Sequence, residues 1–316
     1  MTEGRSCPLA YRYQPASLCG QSTPVTEDVL YVIGGLYGNP FALDEVERMA
    51  LAEERQGRTV KLVFNGDFNW FNASDELFRG INSRVLSHTA SLGNVDYELG
   101  TPSAGAGCGC AYPDFVDQGV VERSNQIMSR LQDIAGAHPD IQKRLSSLPR
   151  YHCLLFGGLK ILVLHGDPES LAGWGLAHES FAAGNEQRIE EWFRASGADV
   201  MAATHTCLPV LWTGEVNGRS CAVANNGSAG MGNLRSDPRG LITRISRAAP
   251  GIKPVAGVVA GELCVDLIPV NYDVSAWLSQ FDQLWPEGTP AALSYRKRIL
   301  GGASLTPADL VFPQGD

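Results

Sequence analysis

"DVLYVIGGLYGNPFALDEVERMALAEERQGRTVKLVFNGD" (residues 28–67) holds a strand, a helix and a second strand in close succession. The run 28–35 is β-branched and aromatic with no polar break, which suits a sheet buried on both faces. It breaks at Gly34-Gly35. Leu43, Val46, Met49 and Ala50 then recur at helical spacing, and Gly57 ends that helix. "TVKLVFNGD" (59–67) is the next strand. A strand, a helix and a strand in this order form a βαβ unit, with a right-handed crossover and parallel pairing. The class is therefore α/β.

Further along, 74–87 and 116–148 read as helical, and 100–113 as a loop rich in Gly, Ala and Pro. "LKILVLHGDP" (159–168) is an apolar strand ending in His165, and "NEQRIEEWFRASG" (185–197) an amphipathic helix stopped by Gly197. "ADVMAATHT" (198–206) is another strand, and 209–228 a hairpin turning at Asn217-Gly218. Late strands at 240–246, 255–261 and 262–273 follow at short spacing and read as antiparallel; a helix at 274–285 and a Pro-rich tail follow. With no repeat, linker or composition shift, one domain is expected. It divides into an N-terminal extension (1–27), a main body (28–275) and a C-terminal helix and tail (276–316) packed on the same domain.

The chain has 316 residues, 44% hydrophobic and 19% charged, with a net charge of −9. This is the composition of a soluble globular protein, and its acidity argues against a nucleic-acid partner, which would need clustered Lys and Arg. The short basic cluster "YRKRI" (295–299) reads as a solvated helix face. There is no signal-peptide core and no apolar run of membrane-spanning length, so no membrane contact is expected and the location is read as cytoplasmic. Eight cysteines are too few for a disulfide scaffold and should be free thiols there. Cys153, Cys221 and Cys264 read as core filler, while Cys108 and Cys110 form a C-x-C in a Gly-rich loop, only a weak signal for a metal or redox role.

Four strand ends carry polar groups: Asp67 in "NGD", Asn94 in "GNVD", His165 in "LHGD" and His205 in "THTC". In open α/β sheets, sites form at the carboxyl ends of strands. A carboxylate, an amide oxygen and two imidazoles meeting there make a set of ligands for a divalent metal. Gly66 and Gly93 allow the tight turns that face Asp67 and Asn94 into a cleft. Taken singly, a histidine after a strand is more often a satisfied structural residue than a ligand; it is the four strand ends together that point to a metal.

The order "GN", "NGD", "GNVD", "LHGDP", "THTCLPV", "NNGSAG" and "NYD" resembles the calcineurin-like metallophosphoesterases, especially their small bacterial phosphodiesterase branch. The resemblance spans about 28–275. It implies a four-layer α/β/β/α sandwich of two mixed sheets with a two-metal site at the strand ends. On that pattern, Gly38 and Asn39 survive from the opening motif, while its Asp and His ligands are replaced by Gly35 and Tyr37. Gly66-Asp67 is intact, Gly93-Asn94 keeps the amide ligand, and the proton-donating histidine of the family is Val95. His165-Gly166 is intact, and the last pair of histidines becomes His205 and Cys207.

The resemblance thus implies that one metal set, Asp67, Asn94, His165 and His205, is retained, and that the other, Gly35, Tyr37, Asp67 and Cys207, is dismantled. The expected cofactor is one divalent transition metal per chain (Mn, Fe or Zn), with Cys207 as a further candidate ligand. The expected function is hydrolysis of a small phosphorylated substrate, with Asp67, Asn94, His165 and His205 catalytic and Asn39, Tyr37 and His178 touching substrate. Asp96, His178 or Tyr37 would stand in for the missing acid. Two other readings stay open. The metal site, altered by Tyr37 and Cys207, could serve different chemistry; or the protein could be a non-catalytic descendant whose "DFNWFN" aromatics (67–72) line a binding pocket. The sequence leaves a homo-oligomer open.

Overall fold

The computed structural model describes residues 3–314. In chain order the elements are β1 (Thr23–Pro24), β2 (Val29–Ile33), α1 (Pro40–Glu54), β3 (Val60–Phe64), α2 (Asp75–Val85), β4 (Thr89–Ala90) and α3 (Asn94–Gly100). Then come α4 (Gln118–Gly136), α5 (Pro139–Ser146), β5 (Tyr151–Phe156), β6 (Leu159–Leu164), α6 (His178–Ala182), α7 (Glu186–Ser196) and β7 (Val200–Ala203). The remainder is β8 (Pro209–Val216), β9 (Arg219–Asn226), β10 (Gly240–Ser246), β11 (Ala256–Ala260), β12 (Leu263–Val270), α8 (Val274–Leu284), α9 (Pro290–Gly301) and β13 (Val311–Pro313).

The described strands form two mixed sheets. One has seven strands in the order β1-β5-β6-β7-β9-β8-β13, the other six in the order β11-β12-β10-β2-β3-β4. β2, β3 and β4 run parallel, as do β6, β7 and β9. The late strands β10, β11 and β12 pair antiparallel, and β8 and β9 form a hairpin. Its turn residues Asn217 and Gly218 both have positive φ, 54° and 71°, which Asn and Gly tolerate best and which suits the twist of a tight hairpin.

Strict alternation along the strands produces the layers. Val29, Tyr31 and Ile33 of β2 face one helical layer, whereas Leu30 and Val32 face the opposite sheet. Leu162 and Leu164 of β6 and Met201 and Ala203 of β7 face the other helical layer, with Ile161, Val163, Val200 and Ala202 between the sheets. α1, α2, α4 and α8 cover the six-stranded sheet, and α7 with the N-terminal residues Tyr11, Tyr13 and Leu18 covers the seven-stranded one. The architecture is the α/β/β/α sandwich.

Helix ends follow local chemistry. The Asn39 side chain caps α1 by accepting from the Ala42 N–H (3.0 Å), with Pro40 at the first helical position. Gly197 closes α7 in the left-handed conformation. One buried charge network ties α1 to the sheet. Arg244 of β10, fully buried, donates to Glu53 of α1 (2.8 Å), which also accepts from Arg58 (2.5 Å) and the Tyr31 hydroxyl (3.3 Å).

Two segments differ from the sequence reading. The Pro-rich tail contains a second helix, α9, and an edge strand, β13, parallel to β8. Only Ala291, Ala292 and Ile299 of α9 are buried, too sparse an apolar stripe to read as a packed helix. The "YRKRI" cluster on it is not simply solvated: Arg298 donates to the carbonyls of Gly232 (2.9 Å) and Cys207. Asn94 does not end a strand directly. β4 stops at Ala90, and Asn94 opens α3 after Gly93.

Candidate metal centre

The strand ends of both sheets meet. β3 leads into Asn65-Gly66-Asp67 and β6 into His165, and the Asn65 amide donates to the Leu164 carbonyl (2.9 Å), tying the sheets together at this edge. The backbone of Asp67 turns through the left-handed region (φ 54°). Buried Asp96 holds it there, accepting from the N–H groups of Asp67 (2.6 Å) and Gly93 (3.3 Å) and from Asn69 Nδ2 (2.9 Å). Gly66 and Gly93 are there for closeness: a β-carbon on Gly93 would lie 2.2 Å from Asp67 Oδ1, and one on Gly66 2.3 Å from the Gly93 nitrogen.

Three candidate ligand atoms surround a fourth, His165 Nε2. It lies 3.3 Å from Asp67 Oδ2, 3.2 Å from Asn94 Oδ1 and 3.2 Å from His205 Nδ1. Asp67, His165 and His205 are the group of described residues able to hold a metal ion together, their donor atoms within 4.8 Å of one another and all three buried.

The hydrogen-bond partners fix which atom each side chain presents. His165 Nδ1–H donates to the Asn65 carbonyl (2.8 Å), leaving Nε2 as a lone pair. Asn94 Nδ2 donates to the Cys108 carbonyl (2.9 Å), leaving Oδ1 inward. His205 Nε2–H donates to the Cys110 carbonyl (3.2 Å), leaving Nδ1 inward. The remaining Asp67 oxygen, Oδ1, accepts from the Val95 N–H (3.0 Å).

Three acceptors therefore cluster around His165 Nε2 with no donor among the four atoms, an arrangement that a proton on His165 or a metal ion satisfies. The spacing suits a metal. Donors at about 2.1 Å from a zinc-like ion are about 3.0 Å apart in octahedral and about 3.4 Å apart in tetrahedral geometry. The three separations from His165 Nε2, 3.2–3.3 Å, fall between the two, and the donor atoms of Asp67, His165 and His205 all lie within 4.8 Å of one another. The residues present thus fit a divalent ion.

The electrostatics agree. Burial disfavours charge on His165, but the Asp67 carboxylate outweighs it and raises the imidazole pKa. Burial, with His165 beside it, pushes His205 down to about 3, so that ring stays neutral and free to coordinate. Burial pushes the Asp67 carboxyl up, and the two histidines more than offset this, holding it below the usual range. Asp96 is raised to about 7 by burial and then by the Asp67 charge.

The other residues expected around a second metal are arranged differently. The Tyr37 hydroxyl sits 2.7 Å from Cys207 Sγ, and the thiol lies 3.3 Å from the His205 carbonyl, to which it donates. Tyr37 and Cys207 both have positive φ, 53° and 62°, a strained backbone for such side chains. A β-carbon on Gly35 would meet the Tyr37 ring at 3.0 Å, so the phenol fills the space into which a side chain at position 35 would project. Burial raises the pKa of both phenol and thiol, and both keep their protons at neutral pH.

A cavity of about 50 Å3 opens beside the cluster. Asp67, Asn94 and His205 reach it from the metal side, Tyr37 and Cys207 from the other. Its remaining wall is Trp70, Val95, Cys110, Tyr112, Trp174 and Tyr295. Among the described residues no Lys or Arg lines it.

Of the residues expected from sequence, Asp67, Asn94, His165 and His205 are brought together, with Tyr37 and Cys207 at the edge of the same cavity. Asn39 and His178 are not among them. Both ends of the Asn39 amide are used structurally, in the α1 cap and in a bond to the Gly230 carbonyl (3.0 Å). His178 opens α6, bonds the Asp309 carbonyl (3.0 Å) and packs on Phe312. Sequence reasoning missed Tyr112, Trp174 and Tyr295, which arrive from loops and α9 with no periodicity to mark them, while Cys110, noted from sequence, also reaches the cavity.

In comparison with solved structures, a metallophosphoesterase from Sphaerobacter thermophilus superposes with a TM-score of 0.57 and 16% identity, covering 88% of this chain and 100% of its own. A hypothetical protein from Pyrococcus horikoshii OT3 gives a TM-score of 0.56 and 15% identity, covering 88% and 99%. No family model and no curated protein matches the sequence. The likeness is one of fold: this chain has the metallophosphoesterase fold expected from its motifs. No helix among the described residues is long and apolar enough to cross a membrane.

Proposed function

We propose that the protein is a metal-dependent phosphoester hydrolase acting on a small phosphorylated substrate through one divalent ion, Mn, Fe or Zn, held by Asp67, Asn94, His165 and His205. The observation that carries this reading is the convergence of four lone pairs, each aimed by a partner behind it, at metal-ligand spacing. Such an ion, when bound, polarises a phosphoryl oxygen and eases deprotonation of water.

The chain's own residues do the rest. Asn65 holds His165 in the tautomer that presents Nε2, and Asp96 fixes the turn that aims Asp67. Trp70, Tyr112, Trp174 and Tyr295 supply an aromatic wall to the cavity, which limits the water around the cluster. With Val95 where the family resemblance expects an acid, the Tyr37 hydroxyl is a proton-bearing group facing the same space.

A second reading is favoured by one observation: Tyr37 and Cys207, which the family resemblance sets at a second ion's place, bond each other at the edge of a cavity of only about 50 Å3. On that reading the fold retains a metal but serves ligand binding or non-phosphatase chemistry. Hydrolysis assays on generic phosphomonoesters and phosphodiesters, with Mn, Zn or Fe supplied, separate the two. Metal-dependent turnover that is lost in His165→Ala supports the hydrolase. Metal uptake with no turnover on either ester class supports the alternative.

A further inference from the structure

We infer that the 107–110 turn, clamped by Tyr11 of the N-terminal segment, is the device that orients two of the metal ligands. This rests on the metal-site reading above. An asparagine can present oxygen or nitrogen, and a histidine either ring nitrogen; only a partner behind the group decides. For Asn94 that partner is the Cys108 carbonyl (2.9 Å), and for His205 it is the Cys110 carbonyl (3.2 Å). Both carbonyls come from one short turn, two residues apart.

The turn is itself held from three directions. The Cys108 N–H donates to Asn125 Oδ1 of α4 (3.0 Å), and Trp174 Nε1 donates to the Cys110 carbonyl (3.0 Å). On the third side stands Tyr11, fully buried, whose hydroxyl donates to Glu98 of α3 (2.5 Å). The other Glu98 oxygen accepts from the Ser103 N–H (2.6 Å), at the start of the same loop. Gly109 lies against this clamp with φ +68°, and a β-carbon there would sit 2.3 Å from the Tyr11 oxygen.

The N-terminal segment also brackets the loop. The Gly4 N–H donates to the Ala106 carbonyl (3.0 Å), and the Tyr112 N–H to the Gly4 carbonyl (2.9 Å). Residues 4–11 therefore complete the metal site without touching an ion. The Gly-Cys-Gly-Cys sequence acts here through its backbone: the glycines let the chain pass close to Tyr11 and Asn125, and the carbonyls aim the ligands.

Cobalt(II) binding to the full-length protein tests this, read by titration and by the visible absorption bands that report ligand geometry. Gly109→Ala and Tyr11→Phe displace the outer-shell carbonyls rather than remove them, so each should weaken affinity by up to about tenfold, the low end of an outer-shell loss, and shift the bands. Gly105→Ala is the control. It lies in the same loop with φ +73°, but its β-carbon would meet nothing within 4 Å. It carries the backbone strain without the collision, and should bind as the parent does. If Gly109→Ala does not fold, Tyr11→Phe decides. Parental affinity and spectrum in both variants, or an equal loss in Gly105→Ala, overturns the inference. A parent protein that binds no cobalt overturns the metal-site reading itself, and this inference with it.

Discussion

Tyr37 Oη and Cys207 Sγ lie 2.7 Å apart, each on a residue with positive φ, at the edge of the cavity beside the metal cluster. The thiol proton goes to the His205 carbonyl, and the phenol donates to the sulfur. Each group is thereby satisfied within the protein, and nothing about the pair requires a cation. Cys207 therefore stands apart from the four converging lone pairs, although its residue type and position made it a candidate ligand.

The first expectation follows from that separation. Cys207→Ser and Tyr37→Phe should leave metal affinity unchanged, while His165→Ala should lower it by at least about a hundredfold, more than loss of an outer-shell partner does. Isothermal titration with Zn or Mn measures all three. A loss in Cys207→Ser equal to that in His165→Ala would place the thiol among the ligands.

The acid response of the metal-free protein depends on His205. Its folded pKa, about 3, is depressed below an unfolded value of about 6.5. A depressed group contributes stability that is fully present above the unfolded pKa and is lost as pH falls through the folded one. Chelated protein should therefore lose stability between about pH 6.5 and 3, and His205→Asn should flatten that decline. Denaturant melts at a series of pH values show it; parallel curves for parent and variant would contradict the assignment.

Asp96 gives the opposite sign. Its folded pKa is raised to about 7, so its contribution is present below the unfolded carboxylate value and lost as pH rises through 7. Asp96→Asn removes that loss. Its stability relative to the parent should rise with pH from about 4 to 7, on top of a constant penalty for the hydrogen bonds that the amide cannot accept. A pH-independent difference between the two proteins counts against a protonated Asp96.

Away from the site, Glu53 neutralises the fully buried Arg244 and also meets Arg58. Burial pushes the Glu53 carboxyl up, and the two guanidiniums outweigh it, keeping it charged. Glu53→Ala leaves the buried guanidinium with only Asp266, 3.9 Å away, as counter-charge and should cost about 3 kcal/mol in urea unfolding. Pairing it with Arg244→Met should restore most of that stability. A cost below about 1 kcal/mol, the level of an exposed pair, would mean that water reaches Arg244.

The fold was legible because strand alternation and the βαβ order are local signals. β2, β3, β6 and β7 stand close to their expected places, and with them Asp67, His165 and His205. α9 was not legible, because its contacts come mostly through long polar side chains such as Arg298 rather than an apolar stripe. The cavity wall was hidden for a related reason. Trp174, Tyr112 and Tyr295 come from three segments distant in sequence, and no local period relates them. Cys108 and Cys110 were misleading in kind, since their chemistry invites a thiol role while the structure uses their carbonyls. Asn39 shows the converse: a polar residue in a site motif whose side chain caps a helix.

The central claim is one ion on four named groups, and elemental analysis tests it most directly. Protein loaded with Zn or Mn and dialysed to equilibrium should carry one ion per chain, and His165→Ala none. Two ions per chain would show that the Tyr37 and Cys207 side also binds metal, and none in the parent would show that the converging lone pairs are satisfied by a proton alone.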